Sequence, residues 1–492
     1  MAYFINCNTS TLAPYTTPLD ASKAAHLYRR LGFSASVDTI NQAIGQNPGT
    51  LVNSLVNDAI NQAPLPPPIW ADWTNANYPE DDALRRQLRN EQQREWQLAY
   101  LNGMIGNNLK DRLSFFWSNH LVTELEVYEC ASFLYYYTNC LQRNAVGNFK
   151  TFVSEIGLTS AMLYYLDGVF NNSNNPNENY ARELYELFTL GEGQGYTEED
   201  IIETARALTG YVERGDEGCT QVTFNPDRFD TGTKTILGQT GNWDYNDVID
   251  ILFDQRPNEI GYFICKKLYE FFVHPDAIAD EAQPIINGLA ATFVANNFEI
   301  APVLTQLFTS QHFFDDDAIG VIIKSPYDMY FNFIKETNFS YDDNTLLTVL
   351  EWSRLMGQDL FTPFDVAGWQ RDRTWINTNF MIGRWLTSEN MIEGFFQNNP
   401  EEFRTFGIAA TGANGATTND PNEVATAIID KITPKGLLTP QDYDTAIEVF
   451  REPFNDTGMY ENGSWNMNLE MTDSQVYLLL QYLARQPEFQ LK

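Results

Sequence analysis

The chain is expected to be all-α, a large multi-helical globular protein with one small inserted β-hairpin. Apolar residues recur at helical spacing between cap-like residues along most of the 492 positions. Only one stretch, near 222–238, alternates in the manner of strands around a turn signal. No internal repeat of fixed period is present, and the 43% hydrophobic content is that of a globular chain.

Residues 1–63 read as an N-terminal helical segment whose three short helices end at Gly32, open near Ser36 and cover 51–60. Pro64-Leu65-Pro66-Pro67-Pro68 then forms a stiff spacer over 64–69, the best internal boundary. Residues 70–492 form the main helical domain. From 80 to 105 a charged, Gln-rich stretch carries Leu84, Leu88, Trp96 and Leu101, which predicts one extended helix. Residues 108–166, rich in Phe, Tyr and Leu, predict two or three buried helices.

Residues 175–210 gather Glu, Arg and Asn most tightly. Asn175 suits a cap, Pro176 the first helical position, and Glu178 the third, so a helix is expected to start there. Tyr180, Ala181, Leu184, Leu187 and Phe188 fall on one side of it, and Glu178, Asn179, Arg182, Glu183 and Glu186 on the other. Leu190-Gly191 ends that helix. Thr197 with Asp200 starts a second, which Gly210 closes.

Val222, Phe224 and Phe229, then Thr235-Ile236-Leu237, flank Asp230-Thr231-Gly232, the expected hairpin. Helical patterns resume at 245–254, 258–273, 276–296, 300–309, 325–336, 344–357, 376–387, 421–432, 440–451 and 473–485, with a surface loop over 411–422.

The formal charge of −34 and pI near 4.3 argue against nucleic acid, whose phosphates need Lys and Arg clusters, and against an anionic membrane surface. No apolar run approaches the roughly 18 residues that span a bilayer, so no membrane insertion is expected. Cys7, Cys130, Cys140, Cys219 and Cys265 form no Cys-x-x-Cys pair, which indicates neither a disulfide framework nor a cysteine zinc site. A single disulfide stays open if the compartment is oxidising. The N-terminus shows neither a basic lead nor an uninterrupted apolar core, so no secretory signal is visible.

His26, His120, His274 and His312 take part in neither His-Glu-x-x-His nor Glu-x-x-His. Neither a Walker loop nor a Gly-x-Ser-x-Gly elbow occurs, and the acidic runs miss the EF-hand spacing. No metal and no cofactor are therefore expected. The polar side of the 175–190 helix has two readings. One is a solvated face of i,i+4 ion pairs; in the other, Arg182, Glu183, Glu186, Glu203 and Arg206 turn inward and line a polar cavity. Glu183 and Glu186, one turn apart, then suit an acid and base pair. Trp369 and Trp375, with Gln370, Arg371, Asp372 and Asn377 around them, suit an amphipathic recognition surface as well as core anchors.

The run NENYARELYEL at 177–187, with TLG at 189–191, YTEED at 196–200 and ARALTG at 205–210, resembles the signature of the bacterial family catalogued as domain of unknown function 1800. Further landmarks follow the same family pattern: HLYRRLGF at 26–33, FWSNHL at 116–121, DTGTKTILGQTG at 230–241, FICKKLYEFFV at 263–273, KSP at 324–326, LFTPFDVAGWQRDRTWINT at 360–378 and PEFQL at 487–491. The resemblance implies export to the periplasm or outside. It also implies a first partner to try, an alkaline-phosphatase-like exported family whose genes often lie beside those of this one. It raises His26, His120 and Lys234 as binding residues, while Ser118 and Phe229 stand where the family often has histidines.

Two functions are expected from these residues. The first is an exported binding or scaffold protein that recognises a partner protein or an extracellular polymer through a polar-aromatic groove. Its binding residues are Asn179, Arg182, Arg206, His26, His120, Lys234, Trp369, Trp375 and Asn377. The alternative is a cofactor-free hydrolase or lyase using Glu183, Glu186 and Glu203, with Arg182 or Arg206 holding an anionic group. Both require these side chains to converge on one interior hollow.

Overall fold

The computed structural model describes residues 10–106, 109–212, 219–413 and 418–492. They form 22 α-helices and two two-stranded antiparallel sheets, so the all-α architecture with a minor hairpin is what the chain adopts.

Three short helices open the chain, α1 (Ala21–Leu31), α2 (Val37–Ala43) and α3 (Pro48–Asn61), each capped by the residue before it: Asp20, Ser36 and Asn47 accept from backbone N–H groups three positions on. No regular element occupies 64–69. The long α4 (Asp82–Gly106) leads to α5 (Leu109–Ser118), α6 (Leu125–Tyr128), α7 (Ala131–Asn144), α8 (Phe149–Ile156) and α9 (Ser160–Tyr165). The N-terminal helices join the main core: α3 packs on α5, and one hydrophobic cluster runs from Leu19 to Phe489.

The central stretch departs from the spacing in two ways. Its helix, α10 (Asn179–Glu183), starts after Glu178 and not at Asn175. Asn175 N–H instead donates to Asn172 O, and Asn177 Oδ1 accepts from Asn179 N–H, so a later asparagine supplies the cap. The helix then widens into a π-helical turn, Leu184–Thr189, in which Leu190 N–H reaches back five residues to Tyr185 O. Next comes α11 (Glu198–Ala207), opened by the expected Thr197/Asp200 capping box.

Strand β1 (Tyr211–Val212) pairs with β2 (Thr223–Phe224), and β3 (Lys234–Ile236) with β4 (Gln239–Gly241). The hairpin turn is therefore Leu237-Gly238, both at positive φ, and not Asp230-Thr231-Gly232.

The second half supplies α12 (Tyr245–Gln255), α13 (Pro257–Phe272), α14 (Ala282–Ala295), α15 (Ile300–Phe308), α16 (Pro326–Thr337) and α17 (Asp343–Leu355). After the 360–377 loop come α18 (Thr378–Asn398), α19 (Pro400–Ala413), α20 (Pro421–Ile432), α21 (Pro440–Arg451) and α22 (Thr472–Ala484). The spacing did not mark α19, and α18 runs on well past 387; both bury Phe side chains (Phe395, Phe403, Phe406) that meet Phe339 across the interface. Among the described residues, no helix is long and apolar enough to cross a membrane.

Cys130, just before α7, is bonded to Cys219, with Cα atoms 5.5 Å apart. This tie spans 89 residues and crosses the whole central stretch. Cys140 and Cys265 are free and buried, and Cys7 lies outside the described residues.

Candidate functional site

The ends of α5 and α13, the start of α16 and the 360–377 loop enclose a cavity of about 230 Å³. Phe115, Phe271, Ile322, Ile323, Trp369 and Trp375 make its walls mostly apolar. Trp369 is held on three sides: its ring packs 5.1 Å from that of Phe115, its indole N–H donates to Asp359 O at 2.7 Å, and its backbone N–H donates to Asn119 Oδ1 at 2.5 Å. The last bond requires Gly368, which takes φ +92 with its ideal Cβ position only 2.6 Å from Asn119 O. Four residues on, Asp372 adopts φ 55, a left-handed conformation uncommon outside glycine. Among the described residues, buried Asp372 Oδ1 and Trp375 Nε1 have no hydrogen-bond partner.

The floor is ionic. Asp328 is the third residue of α16 and closes a capping box with Ser325, so its carboxylate sits at a helix N-terminus. It accepts from Arg112 Nη1 at 2.7 Å and from Lys492 Nζ at 2.5 Å, and all three side chains are buried. Burial alone would raise the Asp328 carboxyl, but Arg112 and Lys492 outweigh it and hold the group well below the usual carboxylate range. The Lys492 ammonium is pushed far down by burial and by Arg112. Arg112 is sandwiched 4.5 Å from the rings of both Phe33 and Phe271, which orients its fork towards Asp328. Behind it lies Arg30, pushed down to about 9 by burial, with Asp328 as its opposing charge; among the described residues its Nε and Nη1 have no acceptor, nor does Arg112 Nε.

At the rim, Arg371 Nη1 pairs with Glu270 Oε2 at 3.1 Å, and Lys266 lies 4.0 Å from the same carboxylate. Lys267 stands over the Phe263 ring, and burial together with the neighbouring Arg371 presses its ammonium down to about 8. His120 follows Asn119 and joins this wall to the central stretch: its Nε2 donates to Phe188 O, in the π-helical turn, at 3.0 Å. Burial, with Lys267 and Arg371 nearby, drives the imidazole down to about 3, so it is neutral.

The remaining residues singled out in the sequence lie elsewhere. Arg182 makes ion pairs with Glu178, Glu186 and the exposed Glu198 on a partly solvated face. Arg206 bonds Glu203 and Asp230, and Glu203 also accepts from Thr235 N–H. These two clusters are separate, and neither lines the tryptophan cavity. Glu183 is half-buried; burial and then Glu186 raise its carboxyl, and it acts with Glu124 and Asp365 on the Tyr165 phenol.

Asn179 Nδ2 donates to Asp167 Oδ2. Lys234 is buried, and its ammonium donates to Asp230 O and Gly232 O. His26 Nε2 donates to Phe313 O inside the core, where burial and Arg30 hold the ring well below its ordinary value. Asn377 caps α18 by accepting from Phe380 N–H. Among the described residues, no group of three or more His, Cys, Asp or Glu is placed to hold a metal ion.

The sequence reading named neither the floor residues Asp328, Lys492 and Arg112 nor the wall residues Asn119, Glu270 and Phe271. A signal for several of them was present. The stretches 26–33, 116–121, 263–273, 324–326 and 360–378, far apart in the chain, contribute Arg30, Asn119, Glu270, Phe271, Ser325, Trp369, Arg371, Asp372 and Trp375 to this one cavity and its floor.

No curated protein and no solved structure matches the chain. The model of the family described as "Protein of unknown function (DUF1800)" matches residues 26–491. All the cavity's lining residues except Lys492 lie within that match, and the chain belongs to the DUF1800 family.

Proposed function

We propose that this is an exported binding protein whose recognition site is the Trp369/Trp375 cavity, which takes in one monomer-sized group of a larger extracellular molecule. The observation that carries the reading is the convergence of separated motif stretches on one cavity of about 230 Å³ with aromatic walls and a few fixed polar groups. Such a volume suits a projecting side chain or a single unit of a polymer, not a whole macromolecule. The Cys130–Cys219 bond supports export, because such bonds persist in oxidising compartments.

The neighbouring alkaline-phosphatase-like protein and the polymers of the cell exterior are the partners to try. Purified chain immobilised on a support should retain one of them, and Trp375→Ala, with circular dichroism unchanged, should lower that retention at least tenfold. Equal retention by the variant would remove the cavity from recognition.

A second reading is favoured by one observation, the raised carboxyl of Glu183 beside Glu186. It makes Glu183 the acid of a cofactor-free hydrolase or lyase. A folded Glu183→Gln variant that keeps full turnover of a substrate found by screening would end this reading.

A further inference from the structure

We propose that the cavity selects an anionic group, a carboxylate or a phosphate monoester, carried on a small apolar or aromatic body. This inference rests on the reading of the cavity as the recognition site. The chain as a whole carries −34, so any anion is repelled at long range by most of the protein. Around this cavity the balance reverses. Arg30, Arg112 and Lys492 share the single side-chain carboxylate of Asp328, and Lys266, Lys267 and Arg371 share that of Glu270. Asp372 adds nothing net, because Arg373 lies 4.0 Å from it.

Arg30, Arg112 and Lys492 are buried and Lys266 and Lys267 half-buried, where screening is weak and an unneutralised charge is costly, while Arg371 is exposed at the rim. Behind the lining the donors also outnumber their acceptors: among the described residues, buried Arg30 Nε, Arg30 Nη1 and Arg112 Nε have no hydrogen-bond partner, which leaves the floor beneath Asp328 and Lys492 short of negative charge. Lys492 Nζ has three N–H groups, one of them directed to Asp328, and its side chain lines the cavity beside Ser325. An oxyanion placed there meets Lys492, while Phe115, Phe271, Trp369 and Trp375 cover an apolar body behind it. A neutral ligand of the same shape gains the apolar contact alone.

The test is isothermal titration calorimetry of the full chain at pH 7 and low salt with benzoate, phenyl phosphate and their uncharged relative benzamide. The preferred anion should bind at least tenfold more tightly than benzamide, and whichever of benzoate and phenyl phosphate binds better identifies the head group. In Lys492→Met the ratio of anion to benzamide affinity should fall towards one. Lys267→Gln at the half-exposed rim should lower the same ratio by a smaller factor, and serves if the buried substitution disturbs folding. Benzamide binding as tightly as both anions would overturn the anion preference and leave the recognition site standing. Absence of heat and of any change in tryptophan emission with all three probes would overturn the recognition site as well.

Discussion

Asp328→Asn isolates the electrostatics of the cavity floor, because it removes a charge without removing volume. The wild-type carboxylate takes one hydrogen bond from Arg112 at 2.7 Å and one from Lys492 at 2.5 Å, with all three groups buried. Each contact at such a distance is worth on the order of 6 kcal/mol of gross attraction at an effective dielectric near 20. Most of that offsets the desolvation of the partners. What the substitution exposes is the cost of two buried cations without a counter-charge, about 3–5 kcal/mol for a broken buried pair. Lys492 can relieve part of this by losing its proton, since burial already presses its ammonium down, which favours the lower end of the range.

Guanidinium denaturation at pH 7, followed by tryptophan emission, should show the midpoint falling with an unchanged slope. The effect should depend on pH with a definite sign. Asp328 has a folded pKa below its unfolded value near 3.9, so its contribution is complete above that value and is lost as pH falls through the lower folded one. The gap between wild type and variant should therefore narrow from about pH 4 towards pH 2. A loss below about 1 kcal/mol at pH 7 would refute the picture of an essential counter-charge.

Three further outcomes are expected. Gly368→Ala combines a positive-φ position with a clash on Asn119 O, so it should cost more than about 2 kcal/mol, break the Asn119–Trp369 bond and red-shift tryptophan emission; a variant with wild-type emission and midpoint would contradict this. Replacing Cys130 and Cys219 together by Ser, or reducing them, opens a closed segment of 89-residue separation and should lower stability by about 2–4.5 kcal/mol, read from the denaturation midpoint with and without a phosphine reductant. Burial raises the Asp359 carboxyl to about 6, above its unfolded value, so this group favours the folded state increasingly as pH falls from about 6 towards 4. Asp359→Asn should then stabilise the chain at pH 7 by roughly 1 kcal/mol after allowance for solvent screening, and a destabilised variant would show that the Trp369 indole bond to its carbonyl depends on the acid.

Where a signal was local, the chain could be read directly. Thr197 and Asp200 form their capping box because both partners lie within one turn, and the separation of Glu, Arg and Asn from Tyr, Leu and Phe over 178–188 appears as one partly solvated and one mostly buried face. Where two local signals competed, the reading slipped. Asn175 and Asn177 are equally good caps, and the Asn172–Asn175 bridge decides between them. Asp230-Thr231-Gly232 has turn chemistry, but its aspartate is engaged by Arg206 and its carbonyls by Lys234, so the hairpin closes at Leu237-Gly238. The Cys130–Cys219 pairing could not be read, because an odd cysteine count without a motif permits many pairings.

By itself the sequence determined the family, through its motif stretches, and the all-α class, the acidic character and the two tryptophans of the 360–377 loop, which follow from composition or from neighbours within a turn or two of helix. Only the tertiary structure decided that Arg182, Glu203 and Arg206 occupy wet or hairpin-bound ion pairs, and that Asp328, Arg112 and Lys492 meet beneath those tryptophans. The physical reason is that charge neutralisation is set by distance in space: Arg112 finds its carboxylate 216 residues away, and no periodicity records such a pairing.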